Sequence, residues 1–113
     1  MNILNLFKNK SDKDKRVIEA LDNIEAELKS IGFWSSNPPD FMVSNFTEAP
    51  SFELWLQCIF LPNARDAAKK GEYPQQSQVG LMAMRQYDYH SHVEEAQNLV
   101  SLLNKFDKIV EGK

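Results

Sequence analysis

The chain predicts an all-α fold, a four-helix antiparallel bundle with a long aromatic- and proline-containing loop between its first two helices. Apolar residues recur at threes and fours in two long segments, and no stretch alternates with the period of a strand. Between them, eight of the ten residues from Phe52 to Leu61 are apolar and only Glu53 and Gln57 interrupt. A helix with so narrow a polar stripe is one that other elements surround, so this segment is expected at the centre of the domain. At 113 residues the chain suits a single domain spanning 1–113, with residues 1–10 expected as a flexible arm.

The first helix begins at Ser11, three residues before Asp14, the spacing of a capping box with aspartate in place of glutamate. Val17, Leu21, Ile24, Leu28 and Ile31 form its apolar stripe, and Gly32 supplies the left-handed residue that ends it. From Phe33 to Pro50 there is no period, but Phe33, Trp34, Phe41, Met42 and Phe46 are too apolar to leave in water. This loop is therefore expected to lie packed across the bundle. The second helix is expected to begin near Pro50 or Ser51, with Pro50 tolerated in the first turn, where its missing N–H has no intrahelical partner. Pro62 cannot donate to the carbonyl of Cys58, so a kink with continuation through the helix-forming, charged NARDAAKK segment to Gly71 is predicted.

Residues 72–76 read as a loop, and Val79, Leu81, Met82, Ala83 and Met84 as a short third helix that Gly80 weakens. The stretch Tyr87-Asp88-Tyr89-His90-Ser91-His92 reads as a loop leading into a fourth helix capped by Ser91, with Glu94 at capping-box spacing. Val93, Ala96, Val100, Leu103, Phe106 and Val110 give that helix its stripe.

Charge narrows the classes of function. The net charge is -3. Residues 17–64 carry Lys29 against seven acidic side chains, which argues against a bundle surface that tracks phosphates. Residues 1–16 are the basic part, with Ile3, Leu4, Leu6 and Phe7 preceding Lys8, Lys10, Lys13, Lys15 and Arg16. Such a pattern has the makings of a membrane-surface or polyanion contact, but it offers too few turns for firm attachment. No h-region with a cleavage site is present and no apolar stretch is long enough to span a bilayer. The lone Cys58 lies inside the apolar run and reads as a small buried hydrophobe suited to a reducing compartment, so a cytoplasmic location is expected.

No catalytic residue and no metal site are assigned. His90, His92 and Asp88 lie close together but lack a known ligand spacing. The candidate binding or interaction residues are Trp34, Phe46, Glu53, Trp55 and Gln57. Glu53 and Gln57, four residues apart, share a helix face and read first as a solvent stripe, alternatively as the polar groups of a pocket beneath the loop. Trp34, Phe46 and Trp55 are of a type that anchors cores and interfaces alike. Met82 and Met84, with Met42, read as gap fillers or as the lining of an adaptable groove.

Phe46, Glu48, the triplet Trp55-Leu56-Gln57, Ile59 and Pro62 after an apolar pair together resemble the YqcC-like family of small bacterial domains without a defined activity. The chain differs from that pattern at Cys58, where a second tryptophan is expected, and at Asn63, which replaces an arginine. No cofactor is expected. The resemblance implies a four-helix fold and hints at a link to tRNA modification, because enteric members are encoded beside a tRNA pseudouridine synthase. It does not make the chain such a synthase. Those enzymes need a mixed α/β catalytic domain with an aspartate in an Arg-Leu-Asp setting, and the nearest triplet here is Ala20-Leu21-Asp22 on the first amphipathic helix. The expected function is a non-enzymatic protein-interaction module whose partner is an RNA-modification enzyme. The alternative is a small-molecule-binding domain or minor enzyme with a pocket between the helices and the Phe33–Pro50 loop, where Gln57 or His90 supplies polar groups.

Overall fold

The computed structural model describes residues 11–40, 49–89 and 91–112. The expectations that fall on residues 1–10, on Phe41, Met42, Phe46 and Glu48, and on His90 lie outside the described residues. Helix α1 (Asp12–Ser30) starts as its sequence predicts: Ser11 is extended and its hydroxyl accepts the Asp14 N–H at 3.1 Å. Val17, Leu21, Ile24 and Leu28 are fully buried along one stripe. The helix closes at Ile31, and Gly32 at φ 80° takes the turn that a side chain would strain. Phe33 and Trp34 then donate their N–H groups to the Leu28 carbonyl at 2.9 and 3.2 Å, which folds the chain back over the helix end.

Helix α2 runs over 52–70 in three consecutive stretches, α-helical Phe52–Trp55, a π-helical turn Leu56–Phe60, and α-helical Leu61–Lys70. Ser51 caps it by accepting the Leu54 N–H at 3.1 Å. Pro50 therefore stands before the cap and not in the first turn. The predicted continuation past Pro62 is present, and the π-turn shows how it is managed. The Leu61 N–H reaches back five residues to the Leu56 carbonyl, so the ladder is already shifted where the proline would interrupt it. Gly71, at φ 70°, ends the helix.

Helix α3 covers 79–89, as Val79–Met84 followed by a second π-helical turn, Arg85–Tyr89. It is longer than the sequence predicts, because Tyr87, Asp88 and Tyr89 belong to it and not to a loop. The physical reason is Tyr87, which is buried with its ring 5.7 Å from those of both Phe33 and Phe52. That burial offsets the weak local propensity of the segment. Helix α4 covers 94–111, beginning with a 3₁₀ turn, Glu94–Ala96, before the α-helical Gln97–Glu111. Ser91 is not its cap; the flanking residue is Val93, whose side chain caps nothing. Gln97 does the joining instead, donating from Nε2 to the carbonyls of Tyr87 at 3.1 Å and Val93 at 3.0 Å.

Neighbouring helices run antiparallel. Lys13 at the start of α1 donates to the Val110 carbonyl at the end of α4, and Arg65 in α2 pairs with Asp22 and Glu25 of α1. Gly80 at the start of α3 lies against Asn104 near the end of α4. The result is a four-helix, all-α arrangement with no strand among the described residues. Helix α4 packs on both α1 and α3, and α1 also receives the second half of α2. The middle of the core is therefore α1 with α4, where Leu21, Ile24, Leu28, Leu99 and Leu103 are fully buried. This corrects the expectation that the Phe52–Leu61 run is central. Leu54, Trp55, Cys58 and Ile59 are only half-buried, so α2 lies at the flank with apolar surface to spare.

Candidate functional site

Gln57 faces inward. Only 9 % exposed, its Oε1 accepts the Ser35 N–H at 2.9 Å and its Nε2 donates to the Ser35 carbonyl at 2.8 Å. A primary amide has a donor side and an acceptor side, and the backbone N–H and carbonyl of one residue present the complement, so both polar atoms of the Gln57 side chain have a partner. Glu53 is spoken for as well. Its Oε1 accepts the Tyr87 hydroxyl at 2.7 Å, and burial together with that carboxylate pushes the phenol well above its ordinary range. The two polar exceptions of the Phe52–Leu61 run thus both have partners within the fold, Gln57 buried and Glu53 half-buried. They fasten α2 to the loop after α1 and to α3.

Trp34 lies on the same side, half-buried, with the Lys29 ammonium 4.9 Å from its ring centroid. Lys29 also pairs with Glu25 at 2.9 Å, and Glu25 with Arg65 at 3.0 Å. The Lys29 hydrogen bond holds the Glu25 carboxyl below its usual value; partial desolvation opposes it, and the Arg65 hydrogen bond adds to it. Trp34 and Glu53 border a shallow depression. Of the five candidate residues, then, Trp34, Glu53 and Gln57 come together on one side of α2, Phe46 lies outside the described residues, and Trp55 stands apart.

Trp55 opens onto something else. Its indole stacks between Phe52 at 5.9 Å and Phe60 at 5.8 Å, and Phe60 meets Phe106 of α4 edge-on at 5.1 Å. With Ile59, Met82 and Val110, the rings of Trp55, Phe60 and Phe106 line an apolar groove of about 320 Å³ between α2, the 72–78 connection and the α3–α4 pair. Its polar border consists of uncharged groups, Asn63, Tyr73, Ser77 and Gln78. The groove's lining was partly legible in the sequence. Trp55, Ile59, Asn63 and Ala67 follow at steps of four along α2, and Met82 reads as a gap filler or as a groove residue; Phe60, Phe106 and Val110 read only as core.

One wall of this groove rests on a buried carboxylate that the sequence reading passed over. Asp107 of α4, 8 % exposed, accepts the Ser77 hydroxyl at 2.5 Å and the N–H groups of Gly80 at 2.7 Å and Val79 at 3.3 Å. Burial pushes its carboxyl up, and the hydrogen bonds from Ser77, Gly80 and Val79 oppose that in turn. An aspartate in the apolar stripe of a helix was the available signal. At the far end of α3, exposed His92 sits between Asp88, 2.8 Å from Nδ1, and Glu94, 2.7 Å from Nε2. Among the described residues no group of three or more His, Cys, Asp or Glu side chains is placed to hold a metal ion.

A family model described as tRNA pseudouridine synthase C, and designated DUF446, matches residues 16–109. The chain belongs to the DUF446 family. That match takes in most of all four helices, so the Gln57–Ser35 clamp, the Asp107 cap and the groove apart from Val110 fall within the family domain. No curated protein and no solved structure matches the chain. No helix among the described residues is long and apolar enough to cross a membrane.

Proposed function

We propose that this DUF446 chain is a non-enzymatic interaction module that seats an apolar segment of a tRNA-modifying enzyme in the groove beside Trp55. The observation that carries the reading is the groove itself, an aromatic and aliphatic surface bordered by uncharged polar groups, with its tryptophan only half-buried. Large aromatics in such a setting are the usual anchors of protein interfaces, whereas a surface that follows RNA carries lysine and arginine. The family description, tRNA pseudouridine synthase C, is compatible with a partner of that class. The resemblance to YqcC-like domains supports the same link. Asp22, the only aspartate in a setting near that of a synthase, is exposed and pairs with Arg65 at 2.9 Å, in keeping with a surface role.

The test is titration calorimetry against a purified tRNA pseudouridine synthase. Trp55→Ala and Met82→Glu are expected to weaken binding by about tenfold or more each, as truncation or charging of an interface anchor does. Equal affinity in those variants, or no binding by the native chain, rejects the reading. The small-molecule alternative predicts a different result, a melting transition raised by an apolar metabolite in the absence of any protein.

A further inference from the structure

We infer that the 72–78 connection is a hinged strap, fastened through Tyr73 and Ser77 to carboxylates of α1 and α4, whose release widens the groove beside Trp55 when an apolar segment enters. The inference rests on that groove being the binding site, as under the proposed function, and adds how the site opens. At about 320 Å³ the groove stands at the lower end of the roughly 300–1,000 Å³ that ligand pockets enclose. Phe106 and Val110 in its lining are only 5 % and 3 % exposed. A segment that seats several large side chains therefore needs one wall to yield.

Two walls are tied across the fold. Helix α2 is held by Gln57 to Ser35, by Glu53 to Tyr87 and by Arg65 to Asp22 and Glu25, and the start of α3 is held to α4 by Asp107. The remaining wall is the connection, which contributes Tyr73, Pro74, Ser77 and Gln78. From Tyr73 to Ser77 the backbone makes no backbone–backbone hydrogen bond among the described residues, and Pro74, Gln75 and Gln76 are exposed. The ends stay anchored. The Glu72 N–H bonds the Ala67 carbonyl at 3.1 Å, and the Gln78 carbonyl accepts the Met82 N–H at 3.0 Å, so residues 73–77 are the part that can turn. Their hold is confined to two points. Tyr73 donates its hydroxyl to Asp14, with its ring centroid 4.9 Å from the Lys13 ammonium. Ser77 donates its hydroxyl to Asp107 at 2.5 Å and its N–H to Glu111 at 3.1 Å. When Ser77 leaves, Asp107 keeps the N–H groups of Val79 and Gly80, and the half-buried donors of the strap reach water. Opening thus exchanges hydrogen bonds to protein for hydrogen bonds to water, at their small net difference, without breaking a helix.

Amide hydrogen exchange of the full-length chain, followed by NMR, reads the motion. The Ser77 N–H is expected to exchange through a local opening, about a hundredfold faster than the Leu99 and Leu103 amides and without response to low urea, whereas those core amides follow global unfolding. Tyr73→Phe deletes only the hydroxyl at the other end of the strap and is expected to speed Ser77 exchange about tenfold. Tyr73→Phe with Ser77→Ala is expected to raise binding of Nile red, an uncharged apolar dye, several-fold, and Met82→Glu added to that pair is expected to abolish the gain. Circular dichroism establishes that the variants retain their helices, and Tyr73→Phe alone carries the test if the pair does not fold. Ser77 exchange at the urea-dependent rate of the core overturns the inference, as does exchange that Tyr73→Phe leaves unchanged or a dye gain that Met82→Glu leaves in place. A strap that opens locally in a chain that binds no synthase rejects the partner and keeps the strap. A synthase bound by a chain whose Ser77 N–H exchanges only with the core rejects the strap and keeps the partner.

Discussion

The carboxylate of Asp107 accepts the Gly80 N–H at 2.7 Å, so α4 supplies the N-terminal cap that α3 lacks in its own sequence. The flanking residue of α3, Gln78, makes no side-chain cap, and the orphan N–H groups of Val79 and Gly80 turn to a residue 28 and 27 positions away. Capping thereby becomes a tertiary contact. It ties the start of α3 to α4 at the wall of the groove. Asp107→Ala is expected to cost about 3 kcal/mol, because it strands buried donors that the fold cannot otherwise satisfy. Urea denaturation of the variant and the native chain measures it.

The same aspartate gives stability a pH dependence. Its folded carboxyl lies above the ordinary 3.8, chiefly through burial. A carboxyl raised in the folded state lends stability that is full below its unfolded value and is lost as pH rises through its folded value. Asp107→Asn removes this titration. The stability advantage of the native chain over Asp107→Asn should therefore shrink as pH rises from about 3 towards neutrality. An advantage that grows instead would contradict the desolvation account.

Gly80 is needed for the approach of α3 to α4. A Cβ placed there would lie 2.8 Å from the Asn104 Cα and 2.1 Å from its Oδ1, and although the amide can swing away the backbone cannot. Gly80→Ala is therefore expected to destabilise by about 1–3 kcal/mol despite alanine's better helix propensity. Thermal unfolding should show the loss as a lower Tm. The same substitution made at an exposed helical glycine would stabilise, so the sign of the change is diagnostic.

Gln57→Glu tests the clamp with almost no change in shape. The carboxylate still accepts the Ser35 N–H but sets a second oxygen against the Ser35 carbonyl, within a buried site. A loss of about 2–3 kcal/mol is expected at neutral pH. Protonation lets the glutamic acid donate to that carbonyl, so the variant should recover stability as pH falls through about 4–6, opposite to ordinary acid denaturation. Chemical denaturation at several pH values decides it. A deficit that does not depend on pH would sink the proposed orientation of the amide.

His92 offers a readout at a surface. Both its ring nitrogens face carboxylates, and a neutral imidazole can donate to only one of them. The hydrogen bonds to Asp88 and then Glu94 raise its pKa above the ordinary 6.5. Its contribution to stability is present below the unfolded value and is lost as pH rises through the folded one, although solvent screens the effect at so exposed a site. Proton NMR should find the His92 midpoint above 6.5 in the native chain and close to 6.5 in the Asp88→Asn, Glu94→Gln double variant.

How much was legible in the sequence follows how far each interaction reaches along the chain. The stripes of Val17 to Leu28 and of Ala96 to Val110, the Ser11 cap, and the stops at Gly32 and Gly71 are local, set by the helical period, by an N–H three residues away, or by a single φ angle. By itself, therefore, the sequence determined an all-α chain of four helices and most of its core. The tertiary structure decided which surfaces those helices use. Gln57 meets Ser35, Glu53 meets Tyr87 and Asp107 meets Gly80 across 22, 34 and 27 residues, and no local pattern encodes such partners. Once those polar groups turned inward to satisfy buried donors and acceptors, the apolar surplus of α2 was left facing outward, and the groove beside Trp55 is the consequence.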